Sequence, residues 1–376
     1  MMMRISEAGT PMTSARIDSI QVLRAIAALA VVIFHSHYAV DIFGKDAAYE
    51  IPFLAKWGYL GVDLFFAISG FIIAHITIGR NFSLKEFAVR RFFRIYPIYA
   101  FFCLISFYLF LTKNWRFGPH DFTLENLALS IAIAPIDGSP AYGVGWSLEH
   151  EIIFYATAAL CLSFGNLKLL CSVIFGVAAV GFAKDLAVAR GVIEPFWDYH
   201  LLSPLNIFFL TGMLLRLFLS KIKTLGWAAP AMLSVVTCAI SISLMKNANV
   251  ELRMIGRYLV LAAAIAAMII AFLNFKIDNP SRLDLVIYKF FTEIGNASYS
   301  LYLVHWIVLK AVGLRYFVEM FGVQPWAAEL WRYSWILACV IISLLMYRFI
   351  EKPIIRFGEH VLQRSKKVTE VTAPAG

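Results

Sequence analysis

The chain has 376 residues, 61% hydrophobic and 15% charged, with a net charge of +9 and a mean hydropathy of +0.75. A soluble domain carries roughly 45–50% apolar and roughly 25% charged residues, so an ordinary soluble fold, collagen, coiled coil, intrinsic disorder and a secreted disulfide scaffold are all excluded. The positive charge does not indicate nucleic acid, because the basic residues flank apolar runs instead of forming one patch; membrane orientation accounts for them.

Apolar runs bounded by charge, Pro and Gly predict spans near 18–40, 59–79, 93–112, 146–164, 167–185, 204–220, 228–246, 255–274, 298–314 and 333–351. At about 20 residues per crossing, they predict an all-α integral membrane protein with about ten transmembrane helices in one bundle. Eleven is the alternative count, and the two runs either side of Asn166 also fit a single re-entrant element. Residues 1–17 read as an N-terminal tail, 18–353 as the transmembrane domain and 354–376 as a C-terminal tail, disordered from Ser365. The first run holds Arg24 and His35 and lacks a small-residue cleavage site, which marks a retained helix and not a signal peptide. The cysteines (Cys103, Cys161, Cys171, Cys238, Cys339) lie in hydrophobic stretches without a CxxC, so neither a disulfide nor a metal site is expected.

Short cytoplasmic loops carry the excess of lysine and arginine. With the N-terminus inside, twenty of the 33 basic residues fall on that side and eleven on the other, while Arg24 and Lys310 lie within helices; both termini are expected in the cytoplasm. The longest outer loop, Lys113 to Gly145, is rich in Pro and Gly and suits a lid or substrate entrance.

An ionisable side chain inside a membrane needs a partner or a water-filled cavity, and is a functional candidate by default. Arg24 and His35 are eleven residues apart, which returns them to within about 20° of one helical face, while His37 points away. The plainer reading has Arg24 snorkelling to headgroups and His35 capping the helix. Asp63, Glu151 and His35 each lie about five residues from the outer end of their runs, a shared layer about 7 Å deep. An imidazole near carboxylates suits general-base work on a hydroxyl; for either carboxylate the alternative is a helix–helix hydrogen bond. Arg91 and Arg94, at i and i+3, form a guanidinium pair suited to phosphate oxygens. Their alternative is a topogenic anchor with Tyr96 and Tyr99 as interfacial aromatics.

Together these motifs resemble the acyltransferase 3 family of polytopic membrane proteins, which modify bacterial surface polysaccharides and other acceptors. The likeness rests on Leu23-Arg24 through His35, Gly61-Val-Asp63 with Ser69-Gly70-Phe71, and Arg91-Phe-Phe-Arg94-Ile-Tyr-Pro97. It continues through Trp146-Ser147-Leu148 with Glu151 and Phe154-Tyr155, then Asn296-Ala-Ser298-Tyr299 through His305, to Tyr347-Arg-Phe-Ile-Glu351-Lys-Pro353. The stretch Ile20 to Arg24 is most similar to exopolysaccharide-modifying members.

The resemblance implies that His35 is the essential histidine and general base, Glu151 the essential carboxylate and Arg24 the essential first-helix arginine. It implies that Arg91 and Arg94 bind the acyl-CoA donor. Asp63, Trp146 and Ser147 are expected to bind substrate or support the site, while His305 and Glu351 read as structural. Glu149 and His150 leave the choice of carboxylate open. An acyl-enzyme at Ser69 or Ser147 has no triad spacing to support it.

The expected reaction is O-acyl transfer, with acetyl-CoA from the cytosol as co-substrate and no permanently bound cofactor or metal. The expected acceptor is a hydroxyl of a surface polysaccharide or its lipid-linked precursor near the periplasmic side of a bacterial inner membrane. The bilayer and polysaccharide-assembly proteins are the expected partners, with no nucleic acid. The rival readings are a transporter or flippase of a glycan or small molecule, and an integral assembly protein.

Overall fold

The computed structural model of the chain describes residues 18–36, 53–79, 81–113, 122–222, 226–275, 279–309 and 325–372. Hydrocarbon offers the backbone no hydrogen-bond partner, so apolar runs of this length are stable there as helices. Among the described residues every regular element is helical. In chain order the principal helices are α1 (Asp18–His35), α2 (Gly61–Thr77), α3 (Leu84–Lys113), α4 (Leu124–Ile131), α5 (Trp146–Phe164), α6 (Leu167–Ala189) and α7 (Asn206–Leu217). They continue with α8 (Ala228–Asn247), α9 (Leu261–Asn274), α10 (Arg282–Asn296), α11 (Ser298–Ile307), α12 (Pro325–Met346) and α13 (Lys352–Thr372).

Among the described residues seven stretches are long and apolar enough to cross a membrane: α1, Leu54–Thr77 ending in α2, α3, α6, α8, Val250–Asn274 ending in α9, and Glu329–Ser365 joining α12 to α13. The other three predicted runs form shorter or more charged helices. The 12 residues of α7 rise about 18 Å against about 30 Å of hydrocarbon, and α11 leads on to the edge of the described residues at Leu309. The 19 residues of α5 include Glu149, His150 and Glu151 near its start. Length and composition thus pick out seven membrane-spanning stretches among the described residues and leave the count of about ten unconfirmed. Asn166 accepts the Lys168 and Leu169 N–H groups at 2.9 and 3.2 Å, so α5 and α6 are two separate helices folded back on each other.

At the centre, α1 packs against α2, α9, α10 and α11. A close helix approach joins α2 to α7 through two glycines. A Cβ on Gly70 would lie 2.0 Å from the Phe209 carbonyl oxygen, and one on Gly212 would lie 1.8 Å from that of Ala67. Without a hydrophobic drive between helices in lipid, such backbone contact is a main source of cohesion. Leu160, Phe164, Phe175, Met232 and Val235 are exposed, as lipid-facing positions would be.

Two π-helical turns, Gly256–Val260 before α9 and Tyr347–Glu351 before α13, widen the helix locally. They carry Arg257 and Glu351, both engaged with partners on other helices. Beyond Pro353 the sequence predicts a tail, yet the chain stays helical to Thr372. The helix has a physical cause: α13 docks on α3, with Phe357 against Phe93 at 5.6 Å and Glu359 3.6 Å from Arg90. The predicted N-terminal tail, His37 and residues 114–121 of the long loop lie outside the described residues.

The bundle has two distinct ends. Arg91 and Arg94 lie near the start of α3, whereas Ser106 further along donates to the Ala141 carbonyl at 2.8 Å, just before α5 begins. In parallel, Tyr299 at the start of α11 donates to the Ile95 carbonyl at 2.7 Å, and His305 lies near its finish. One end therefore carries the arginine pair, and the other carries His35, His305 and the start of α5.

Candidate active site

Glu151 on α5 organises the polar interior. Its Oε1 accepts hydrogen bonds from Ser69 Oγ of α2 at 2.6 Å and from the Tyr155 hydroxyl, one turn along its own helix, at 2.5 Å. The Arg91 guanidinium lies 5.0 Å from the Tyr155 ring centre and 5.7 Å from that of Phe87, and its Nη1 donates weakly to the Tyr155 hydroxyl at 3.5 Å. Arg94, one turn further on α3, lies 3.9 Å from Glu351 Oε1, while the other oxygen of that fully buried carboxylate accepts from Ser300 Oγ at 2.6 Å.

Ser69, Arg91, Arg94, Glu151 and Tyr155 border a cavity of about 80 Å³, which Arg24 of α1 also lines. Arg24 makes no hydrogen bond or ion pair with the described residues. Three guanidiniums and one carboxylate thus face one space walled otherwise by apolar and hydroxyl side chains. This surplus of positive charge, in fork-shaped donors, suits a multiply charged anion such as a phosphate. At the other end of the cavity the Tyr302 hydroxyl donates to the Val144 carbonyl at 2.9 Å and shares a 2.8 Å hydrogen bond with Ser147 Oγ.

Beyond Tyr302 lie two histidines. The His305 ring centre is 5.7 Å from that of Tyr302, and His305 Nε2 is 3.2 Å from His35 Nδ1. His35 Nδ1 also approaches the Val31 carbonyl at 3.0 Å, and His305 Nδ1 the Leu301 carbonyl at 3.2 Å. Carbonyl oxygens only accept, so the network assigns a proton to each Nδ1. His305 Nε2 is then placed to accept from His35 Nδ1–H.

The sequence matches the family model described as an acyltransferase domain over residues 17–349. The chain belongs to this acyltransferase 3 family. It is similar to the peptidoglycan O-acetyltransferase OatA of Listeria monocytogenes, 26% identical over 91% of this chain and 56% of that protein. It is also similar to the exopolysaccharide production protein ExoZ of Rhizobium meliloti, 27% identical over 83% of this chain and 92% of that one. A putative acetyltransferase of Acidianus two-tailed virus is 24% identical over 78% of this chain and 83% of its own. The chain thus spans little more than half of OatA but nearly all of ExoZ. No solved structure matches.

In this acyltransferase 3 chain, Arg24, Arg91, Arg94, Ser147 and Glu151 converge on one cavity, whereas His35, Asp63 and Trp146 do not line it. His35 sits behind Tyr302 and His305, with its ring 5.0 Å from that of Trp306. Asp63, 2% exposed, turns instead to Arg257, whose Nη2 donates to Oδ1 at 3.0 Å. Trp146, 39% exposed, packs against the His150 ring at 5.7 Å.

Four residues of the polar interior have partners that the sequence did not give. Tyr155 carries its signal in the i+4 spacing from Glu151, as does Arg257 in standing one residue after Gly256 at the mouth of an apolar run. Tyr302 and Glu351 form part of the motifs, but nothing in a single sequence says which cavity or partner they meet. Ser69, weighed there as a nucleophile, here donates to Glu151.

Proposed function

We propose that this acyltransferase 3 chain moves an acetyl group from acetyl-CoA to a hydroxyl of a surface polysaccharide or its lipid-linked precursor. The observation that carries this reading is the meeting of Arg24, Arg91 and Arg94 with Glu151 around one cavity at the arginine end of the bundle. In this reading that end faces the cytosol of a bacterial inner membrane, with both termini cytoplasmic and about ten crossings. Arg91 and Arg94 hold the phosphates of CoA by charge-assisted hydrogen bonds. The pantetheine arm runs along the cavity and brings the thioester toward Tyr302 and the histidine end.

There His35 Nε2 takes the proton from the acceptor hydroxyl as its oxygen attacks the thioester carbonyl. The carbon–sulfur bond breaks, CoA leaves as thiolate, and the proton returns from the imidazolium to the sulfur. Arg24 and the Ser69–Glu151–Tyr155 network supply fixed charge and dipoles in a site shielded from water, where they act most strongly on developing charge. OatA and ExoZ bear names of peptidoglycan and exopolysaccharide work, which favours a glycan acceptor over transport without chemistry.

Mass spectrometry of surface polysaccharide from a deletion strain tests this reading. Base-labile acetyl esters should disappear and return when the chain is supplied again; an unchanged ester content would refute the assignment.

A further inference from the structure

A second polar cluster lies at the histidine end, outside the cavity. Glu149, two residues before Glu151, is 1% exposed. Its Oε2 lies 3.1 Å from His200 Nε2 and accepts the Ile136 N–H at 3.4 Å, while its Oε1 is buried without a partner among the described residues. His200 arrives from the segment after α6. Two consecutive residues there, Tyr199 and His200, hold left-handed backbone angles with φ of 55° and 58°. Neither is glycine, so each costs conformational energy that the surroundings must offset. Lys184 of α6 fastens this segment through Asp198 at 2.6 Å.

Aromatic rings surround the pair. The His200 ring is 4.1 Å from that of His150 and 4.7 Å from that of Trp197. Tyr199 lies 5.8 Å from Trp197, and Trp146 5.7 Å from His150. Trp146 and Tyr199 are exposed, at 39% and 58%, and the His200 side chain at 23%. His200 Nδ1 has no hydrogen-bond partner among the described residues.

Three features decide what this cluster takes. The two imidazoles lie face to face, inclined at 33°, rather than aiming nitrogens at a common point as metal ligands do. An interfacial belt of Trp and Tyr requires neither a buried carboxylate nor strained backbone to deliver a histidine to it. Aromatic faces beside a carboxylate–imidazole pair match a pyranose ring, whose C–H face is apolar and whose edge carries hydroxyls that both donate and accept.

We propose that Trp146, Trp197 and Tyr199, with the Glu149–His200 pair, form a binding site for a pyranose unit of a glycan. The inference rests on the acyl-transfer reading for its biological role, because this site adjoins the cavity: the Phe66 ring lines the cavity and lies 6.0 Å from that of His150. A sugar held here stands at the same end of the bundle as His35.

The test uses the full chain in lipid nanodiscs and, as probe, unacetylated surface polysaccharide from a strain lacking the chain. Equilibrium binding is measured first without acetyl-CoA. Trp197→Ala, Tyr199→Ala and His200→Gln should each weaken polysaccharide binding roughly tenfold while acetyl-CoA affinity stays the same, which also shows that the variants are folded. Phe196→Ala removes an aromatic 55% exposed on the same segment, and should leave polysaccharide binding unaltered. Absence of polysaccharide binding by the unaltered chain would overturn the site. So would equal weakening by Phe196→Ala, or parallel loss of acetyl-CoA affinity in the cluster variants. Cluster-dependent binding without acetyl transfer would keep the site and refute the reaction.

Discussion

His35 Nδ1 lies within reach of both the Val31 carbonyl and His305 Nε2, so one buried histidine helps to hold the ring of another. His305→Leu should therefore loosen the His35 ring while Val31 still accepts from its Nδ1–H, seen as altered ring ¹⁵N shifts in histidine-labelled protein. Acyl transfer should fall about tenfold or more, as expected when a general base is poorly poised, while acetyl-CoA affinity stays unchanged. A lower rate with unaltered His35 ¹⁵N shifts would remove His305 from this role.

At the same scale, the spacing of charged residues was legible in the sequence and their partnerships were not. Arg91 and Arg94 sit one turn apart, as i and i+3 require, and both line the cavity. Asp63 shows the limit: helical periodicity placed it at a depth, but its partner Arg257 is 194 residues away, and a single sequence carries no record of such a contact. The same limit hid Glu351 behind Arg94.

Among the elements, helix existence was legible because hydrophobic runs and breakers are local signals. The end of α7, the π-helical turns and the docking of α13 depend on neighbouring helices and left no local mark. The α2–α7 crossing connects this scale to the site, since Gly70 is adjacent to Ser69. Gly70→Ala drives a methyl group against the Phe209 carbonyl, and overpacking of this kind costs typically about 1–3 kcal/mol. The variant should insert into the membrane, show a lower melting temperature in detergent and lose activity as Ser69 is pushed from Glu151. A Gly70→Ala protein with unchanged melting temperature and activity would mean that the helices separate without cost.

For the whole molecule, the two-ended bundle makes a topological claim independent of any activity. Cysteines introduced at Lys56 and Gly138 should react with an impermeant thiol reagent in intact spheroplasts; those at Lys85 and Lys221 should react only after permeabilisation. A reversed pattern would place the arginine pair outside, away from cytosolic CoA, and the proposed path through the membrane would fail even if the acyl-transfer chemistry survived.

The central claim, acyl transfer from a donor held by the arginine cavity, is tested most directly with purified protein in nanodiscs, [acetyl-¹⁴C]acetyl-CoA and unacetylated polysaccharide. Base-labile label should appear on the polysaccharide with the unaltered chain. For Arg94→Ala the half-saturating acetyl-CoA concentration should be roughly tenfold higher or more, the scale of a lost charge-assisted hydrogen bond. Polysaccharide that stays unlabelled with the unaltered chain, or an Arg94→Ala protein with an unchanged acetyl-CoA requirement, would contradict it.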